Sequence, residues 1–186
     1  MAGLEQGSAA GELAFFTPEE ARTMAALASR IFPDDDLGPG AIAAGVVQYV
    51  DRALSGAESH RQLVYRASLK DIERIANASF GRSFADSAPA QRDSLVSDMA
   101  EDRLPARFGE KSPGKPFFDF LRAHVLEGMF SDPVHGGNRD FVGWRLLGYW
   151  GPVPSYSHAE QQLDAVIVRD RFYSASDYPL RGGSGE

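Results

Sequence analysis

Ile42, Val46, Val50 and Leu54 recur every four residues, and the same helical spacing returns in several other segments of the chain. Apolar side chains three and four apart share one face of an α-helix, whereas a half-buried strand would alternate in twos. No strong alternation of that kind occurs before Pro154. The pattern predicts an all-α domain of about five helices.

The helix limits follow from their punctuation. Thr17 and Pro18 in TPEE supply a cap and a first-turn proline, with Glu20 three residues after the cap. Ala21, Met24, Leu27, Ala28 and Ile31 form the stripe behind them, and Pro33 ends it. In the second helix Tyr49 and Ala53 widen the face, and the small Ala43, Ala44 and Gly45 suit close approach of another helix. A third helix spans about 59–79, with Leu63, Leu69, Ile72 and Ile75 or Ala76 inward. A fourth starts at Ser87 or Asp86 as cap, then Pro89, and carries Leu95, Met99 and Leu104. Residues 105–116 read as a proline- and glycine-bearing loop. The fifth helix, FFDFLRAHVLEGMF, has Phe117, Phe120, Leu121, His124 or Val125, and Gly128 along one side.

The expected organisation is a mobile segment at 1–13, a helical domain at 14–153, a C-terminal arm at 154–180 and a linker-like RGGSGE at 181–186. A short helix is expected near 159–165. Beyond it the β-branched and aromatic Val166, Val168, Phe172 and Tyr173 read as an extended arm lying on another surface.

Composition removes several classes of chemistry. At 186 residues the chain can bury roughly 70% of its unfolded surface and needs no staples. Its net charge of −7 repels a phosphate backbone on average. With no cysteine there are no disulfides, thiolate metal sites, iron–sulfur clusters or cysteine nucleophiles. The N-terminus lacks the basic and apolar regions of a signal peptide, so the expected location is periplasmic if a leader was removed and otherwise cytoplasmic.

Local motifs for catalysis are missing. Asp34, Asp35 and Asp36 do not form a calcium loop, because the twelfth position counted from Asp34 is Gly45; they read as turn caps. His124 and Glu127 lie three apart on a helix with His135 a loop away, which leaves a stand-alone, metal-assisted enzyme as one alternative. No GxSxG or GxGxxG stands in a fitting context, so no catalytic, cofactor-binding or metal residue is assigned to this chain.

The densest signal is residues 131–152, SDPVHGGNRDFVGWRLLGYWGP, which hold both tryptophans. Gly136, Gly137 and Asn138 tolerate positive φ and permit a sharp turn or a close approach. Trp144, Tyr149 and Trp150 then place a large amphipathic area close together, either as a lid over the core or as anchors for a partner. The expected partner interface is His135, Gly136, Gly137, Asn138, Trp144, Tyr149 and Trp150, joined by Phe172 and Tyr173 of the arm. A helical bundle binding a small ligand, with this loop as its lid, is the other alternative.

Three phrases together resemble the gluconate 2-dehydrogenase subunit 3 family: RIFPDDDLGPGAIAAGVVQYVDRAL, FFDFLRAHVLEGMF and GMFSDPVHGGNRDFVGWRLLGYWGP, over roughly 15–152. His135 stands where tyrosine is common in that family, and GYWGP replaces the more usual GYPG. The resemblance implies a small, non-catalytic subunit of a membrane-associated or periplasmic sugar dehydrogenase. Its partner would be a flavoprotein of the glucose–methanol–choline type that holds FAD and oxidises gluconate, glucose or a glycoside at its 3-position. A cytochrome c subunit would take the electrons. The small subunit would support folding and export of the flavoprotein; the twin-arginine leader used for export in the family does not occur in this sequence.

Overall fold

The computed structural model describes residues 13–104 and 114–178. Most of the expected loop 105–116, the linker-like 181–186 and all but the last residue of 1–13 lie outside the described residues. Within them the chain is helical: α1 (Pro18–Ile31), α2 (Val46–Ser55), α3 (Gln62–Phe80), α4 (Pro89–Ala100), α5 (Lys115–Phe130) and a short α6 (Val142–Leu147). No strand occurs among the described residues.

Helix α1 begins as its sequence dictates. Thr17 Oγ1 accepts the Glu20 N–H at 3.2 Å, and the Glu20 carboxylate accepts the Thr17 N–H at 2.9 Å, so two of the free amides at the helix start are satisfied reciprocally. Helix α4 departs from expectation. Its cap position is Ala88, whose N–H is taken by the Gln91 side chain, while Ser87 Oγ donates to the Ser83 carbonyl and Asp86 accepts from Ser83. Two of the three aspartates before α2 act as turn caps: Asp34 accepts the Gly40 N–H at 2.7 Å and Asp35 the Leu37 N–H at 2.8 Å.

The bundle is organised around α5, which touches each of the other five helices. Its buried line is Phe117, Leu121, His124, Val125, Gly128 and Met129. Gly128 is where α2 comes closest. A β-carbon there would stand 3.2 Å from Val46 and 3.3 Å from Tyr49, tighter than ordinary contact. The opposing lines are Met24, Leu27 and Ala28 of α1, Val46, Val47, Val50 and Leu54 of α2, Tyr65, Leu69, Ile72 and Ala76 of α3, and Leu95 and Met99 of α4. Each fully buried Leu or Met is worth about 1.5–3 kcal/mol relative to exposure, so these lines dominate the fold's stability.

Three residues expected inward are not. Leu63 is 82% exposed, because the buried spacing of α3 is set by Tyr65, and a residue two positions earlier points almost directly away. Ile42 is also exposed; it sits in the turn before α2, where Ala41 and Ala44 take the buried places. Phe120 is half-buried beneath the Arg61 guanidinium, 4.2 Å from its ring centroid. The expected helix at 159–165 is a succession of turns.

Candidate partner-binding face

The 131–152 stretch is built from the end of α5 outward. Asn138 is fully buried and joins three parts of the loop. Its backbone N–H donates to the Gly128 carbonyl at 2.6 Å, and its amide nitrogen donates to the Ser131 carbonyl at 2.9 Å. Its side-chain oxygen accepts the Gly143 N–H at 2.8 Å, capping the start of α6 from outside the helix. Two glycines make this approach possible. A β-carbon on Gly137 would run into the Gly128 carbonyl, and one on Gly143 would run into the Met129 carbonyl.

Between them the backbone is strained. Asn138, Asp140 and Phe141 have φ of 46°, 53° and 57°, a left-handed region that costs a bulky residue about 1–2 kcal/mol. Phe141 recovers this through its ring, which lies 5.6 Å from Trp144 and 5.4 Å from Phe172 between centroids. Such ring pairs contribute about 0.5–1.5 kcal/mol each, enough to offset one strained residue.

Trp144 closes the loop over the core. It is 4% exposed, and its indole N–H donates to the Phe130 carbonyl at 2.7 Å. Gly137, Asn138 and Trp144, expected at a partner interface, are therefore used inside the domain. Tyr149 stands edge-on to Trp144 at 4.9 Å and remains 45% exposed, beside Leu147 at 63%. His135 is exposed, and Gly136 and Trp150 are half-buried.

The arm turns back onto this loop. Phe172 stacks on Trp150 at 4.8 Å, with the Arg145 guanidinium 4.5 Å from its ring centroid. The Tyr173 N–H donates to the Trp150 carbonyl at 2.8 Å. Phe172 through its ring and Tyr173 through its backbone thus anchor the arm to its own domain. Asp132 completes the anchor: it accepts from Ser174 Oγ at 2.6 Å and from the Ala175 N–H at 2.7 Å. Partial burial works against ionisation of Asp132, but the hydrogen bonds from Ser174, Val134 and Ala175 outweigh it and hold the carboxyl below the usual aspartate value. Residues 152–172 therefore form an excursion with tied ends. It exposes Tyr156, Leu163, Val166 and Val168. Tyr149, Tyr156 and Ile167 line one cleft of about 220 Å³, where the exposed end of the loop meets the excursion.

His124, Glu127 and His135 are not gathered into a site. Burial pushes the His124 imidazole below its ordinary value, which favours its neutral form, and its Nδ1 shares a hydrogen bond of 2.7 Å with the Tyr65 hydroxyl. Glu127 instead accepts from the Tyr49 hydroxyl at 3.0 Å, and burial together with that carboxylate pushes the Tyr49 phenol up to about 12. Among the described residues no group of three or more His, Asp or Glu side chains is placed to hold a metal ion. A cavity of about 620 Å³ is an open groove along α1 and α3 lined by Thr17, Glu20, Arg66, Lys70 and Glu73. It lies away from the aromatic loop, which is therefore not its lid.

One residue that the sequence reading passed over is Asp51. It is 5% exposed on the inner face of α2 and accepts the N–H groups of Ala14, Phe15 and Phe16 at 2.8–3.0 Å. It fixes the chain entering α1 and supports the buried Phe15 and Phe16. The signal was available, since position 51 falls between Val47 and Leu54 on the apolar stripe.

The chain is thus a helical bundle whose glycine-bearing loop is locked from within and leaves Leu147 and Tyr149 open at its outer end. The chain belongs to the gluconate 2-dehydrogenase subunit 3 family, whose model matches residues 18–151. No curated protein and no solved structure matches it. Family membership places the chain among the subunits of dehydrogenase complexes. No helix among the described residues is long and apolar enough to cross a membrane.

Proposed function

We propose that this chain is the non-catalytic small subunit of an FAD-dependent sugar or sugar-acid dehydrogenase, and that it binds the flavoprotein subunit and supports its maturation. The observation that carries this reading is the cleft that the exposed Tyr149 and Tyr156 line together with Ile167. Isolated exposed apolar residues are ordinary, but two exposed tyrosines gathered at one cleft beside a braced loop suit a docking surface. Tyr149 suits the centre of it, since it offers a large ring with few rotatable bonds and a hydroxyl at the rim. In this reading FAD, the substrate pocket and the route to a cytochrome c all belong to other chains.

Co-expression tests the proposal. The flavoprotein should be recovered soluble and flavin-loaded with this chain and largely insoluble or flavin-free without it. Equal yield and flavin content in both cases would overturn the maturation role. Binding of a small ligand is the second reading, favoured by the groove along α1 and α3. Saturable binding of a sugar or sugar acid by the isolated chain, abolished by Arg66→Ala, would support it.

A further inference from the structure

Arg52 of α2 and Arg139 of the strained loop line one pocket of about 340 Å³, together with Gln48, Asp51 and Gly136. Arg52 Nη1 donates to the Val134 carbonyl at 2.9 Å, which holds the guanidinium beside Gly136. Arg139 lies over Gly45, where a β-carbon would stand 3.1 Å from its Nη2. Gly45 and Arg52 are seven residues apart, or about 10 Å along α2, so the two guanidiniums approach one helix face at positions about two turns apart.

Neither arginine has a carboxylate partner among the described residues. Arg22 faces Asp86, Arg30 faces Asp93, Arg61 faces Glu58 and Arg66 faces Glu20, whereas Arg52 and Arg139 are two arginines without such a pair that line the same pocket. The carboxylate in the pocket, Asp51, is already committed to three backbone N–H groups. Planar guanidiniums left open in a pocket suit bidentate contact with carboxylates, and Gln48 between them can donate as well. The exposed His135 adjoins Gly136 at the rim.

We infer that the Arg52–Arg139 pocket receives an acidic segment of the dehydrogenase partner, whose carboxylates pair with both guanidiniums. The inference rests on the docking reading above and adds a second, polar contact to the apolar one. Charge complementarity selects this occupant. The two guanidiniums place positive charge in one pocket, which attracts a carboxylate-bearing segment and repels a basic one.

The test measures binding of the purified flavoprotein to the intact chain by biolayer interferometry at low and moderate salt. It compares the unaltered chain with R52E/R139E, R52K/R139K and R122A, where Arg122 is exposed on α5 outside the pocket. The charge reversal should weaken binding by at least about tenfold, given what hydrogen bonds to charged groups contribute. The lysine pair keeps the charge and serves as the readout if the reversal fails to fold. It should weaken binding measurably with an unchanged melting temperature, because it loses the fork geometry. R122A should bind as the unaltered chain does. Equal binding by all variants, or equal weakening by R122A, would overturn the pocket's role while leaving docking intact. No binding by the unaltered chain would overturn the docking reading itself.

Discussion

The side-chain oxygen of Asn138 accepts the Gly143 N–H at 2.8 Å, joining the strained turn after α5 to the start of α6. This contact lets a long loop behave as a rigid part. It positions Trp144 to seal the core and leaves Tyr149 at the surface. The exposed outer end of the loop therefore depends on a residue that is itself fully buried.

Asn138→Ala leaves the Gly143 N–H and the Ser131 carbonyl without their side-chain partner and puts a less tolerant residue at φ 46°. At about 1–3 kcal/mol for each buried unsatisfied group, the expected loss is about 3 kcal/mol. For a chain of this size that is a fall in melting temperature of roughly 6–12 °C. Asn138→Gly relieves the backbone but not the hydrogen bonds, so it should recover only a small part of the loss in thermal unfolding.

Gly143→Ala should destabilise the chain although alanine favours helices. Its β-carbon would meet the Met129 backbone carbonyl, which cannot swing aside as a side chain could. A cost of about 1–3 kcal/mol is expected by urea unfolding. Gly148→Ala is the comparison. Its added carbon meets open space, but φ there is +65°, so only the smaller backbone penalty applies.

His124 makes stability fall on acidification. Its folded-state value lies below the unfolded one, so the unfolded chain takes up the proton first. The contribution is fully present above the unfolded histidine value of about 6.5 and declines as pH drops below it. Denaturation midpoints at pH 7.5 and 5.5 should therefore converge in His124→Gln relative to the unaltered chain. An unchanged difference would assign the acid sensitivity to other groups.

Asp132 ties the arm in the same direction but at lower pH. Its depressed folded value means that the stabilisation is present above the unfolded aspartate value and is lost as pH falls through the folded one. Asp132→Asn should loosen the arm even at neutral pH, because a neutral amide accepts more weakly from Ser174 and Ala175. The check is hydrogen exchange at 172–175, where protection should drop while α1 to α5 keep theirs.

Much of the fold was legible because its helices are strongly periodic and clearly punctuated. Pro18 and Pro33 bracket α1, and Phe117, Leu121, Val125 and Gly128 mark the buried line of α5. Leu63 misled because a leucine near a helix start looks inward until the whole face is counted from Tyr65. The site was harder to read. Gly136 does take positive φ, but Gly137 is required by the closeness of the Gly128 carbonyl, a contact between segments that no local pattern encodes. Helix α6 has only six residues and is held by Asn138 from outside, so its periodicity is too short to register. The return of Phe172 and Tyr173 to their own loop depends on the Trp150 backbone and on Asp132, both far from the arm's own sequence.

The most direct measurement is hydrogen exchange of this chain alone and with its purified flavoprotein. Docking through the outer end of the loop predicts a stable complex, with new protection at 147–150 and 156–168 and around the Arg52–Arg139 pocket, and none gained at the already buried Gly143 and Trp144. A chain that forms no complex, or a complex that protects other surfaces and leaves these residues exchanging as before, would contradict the account.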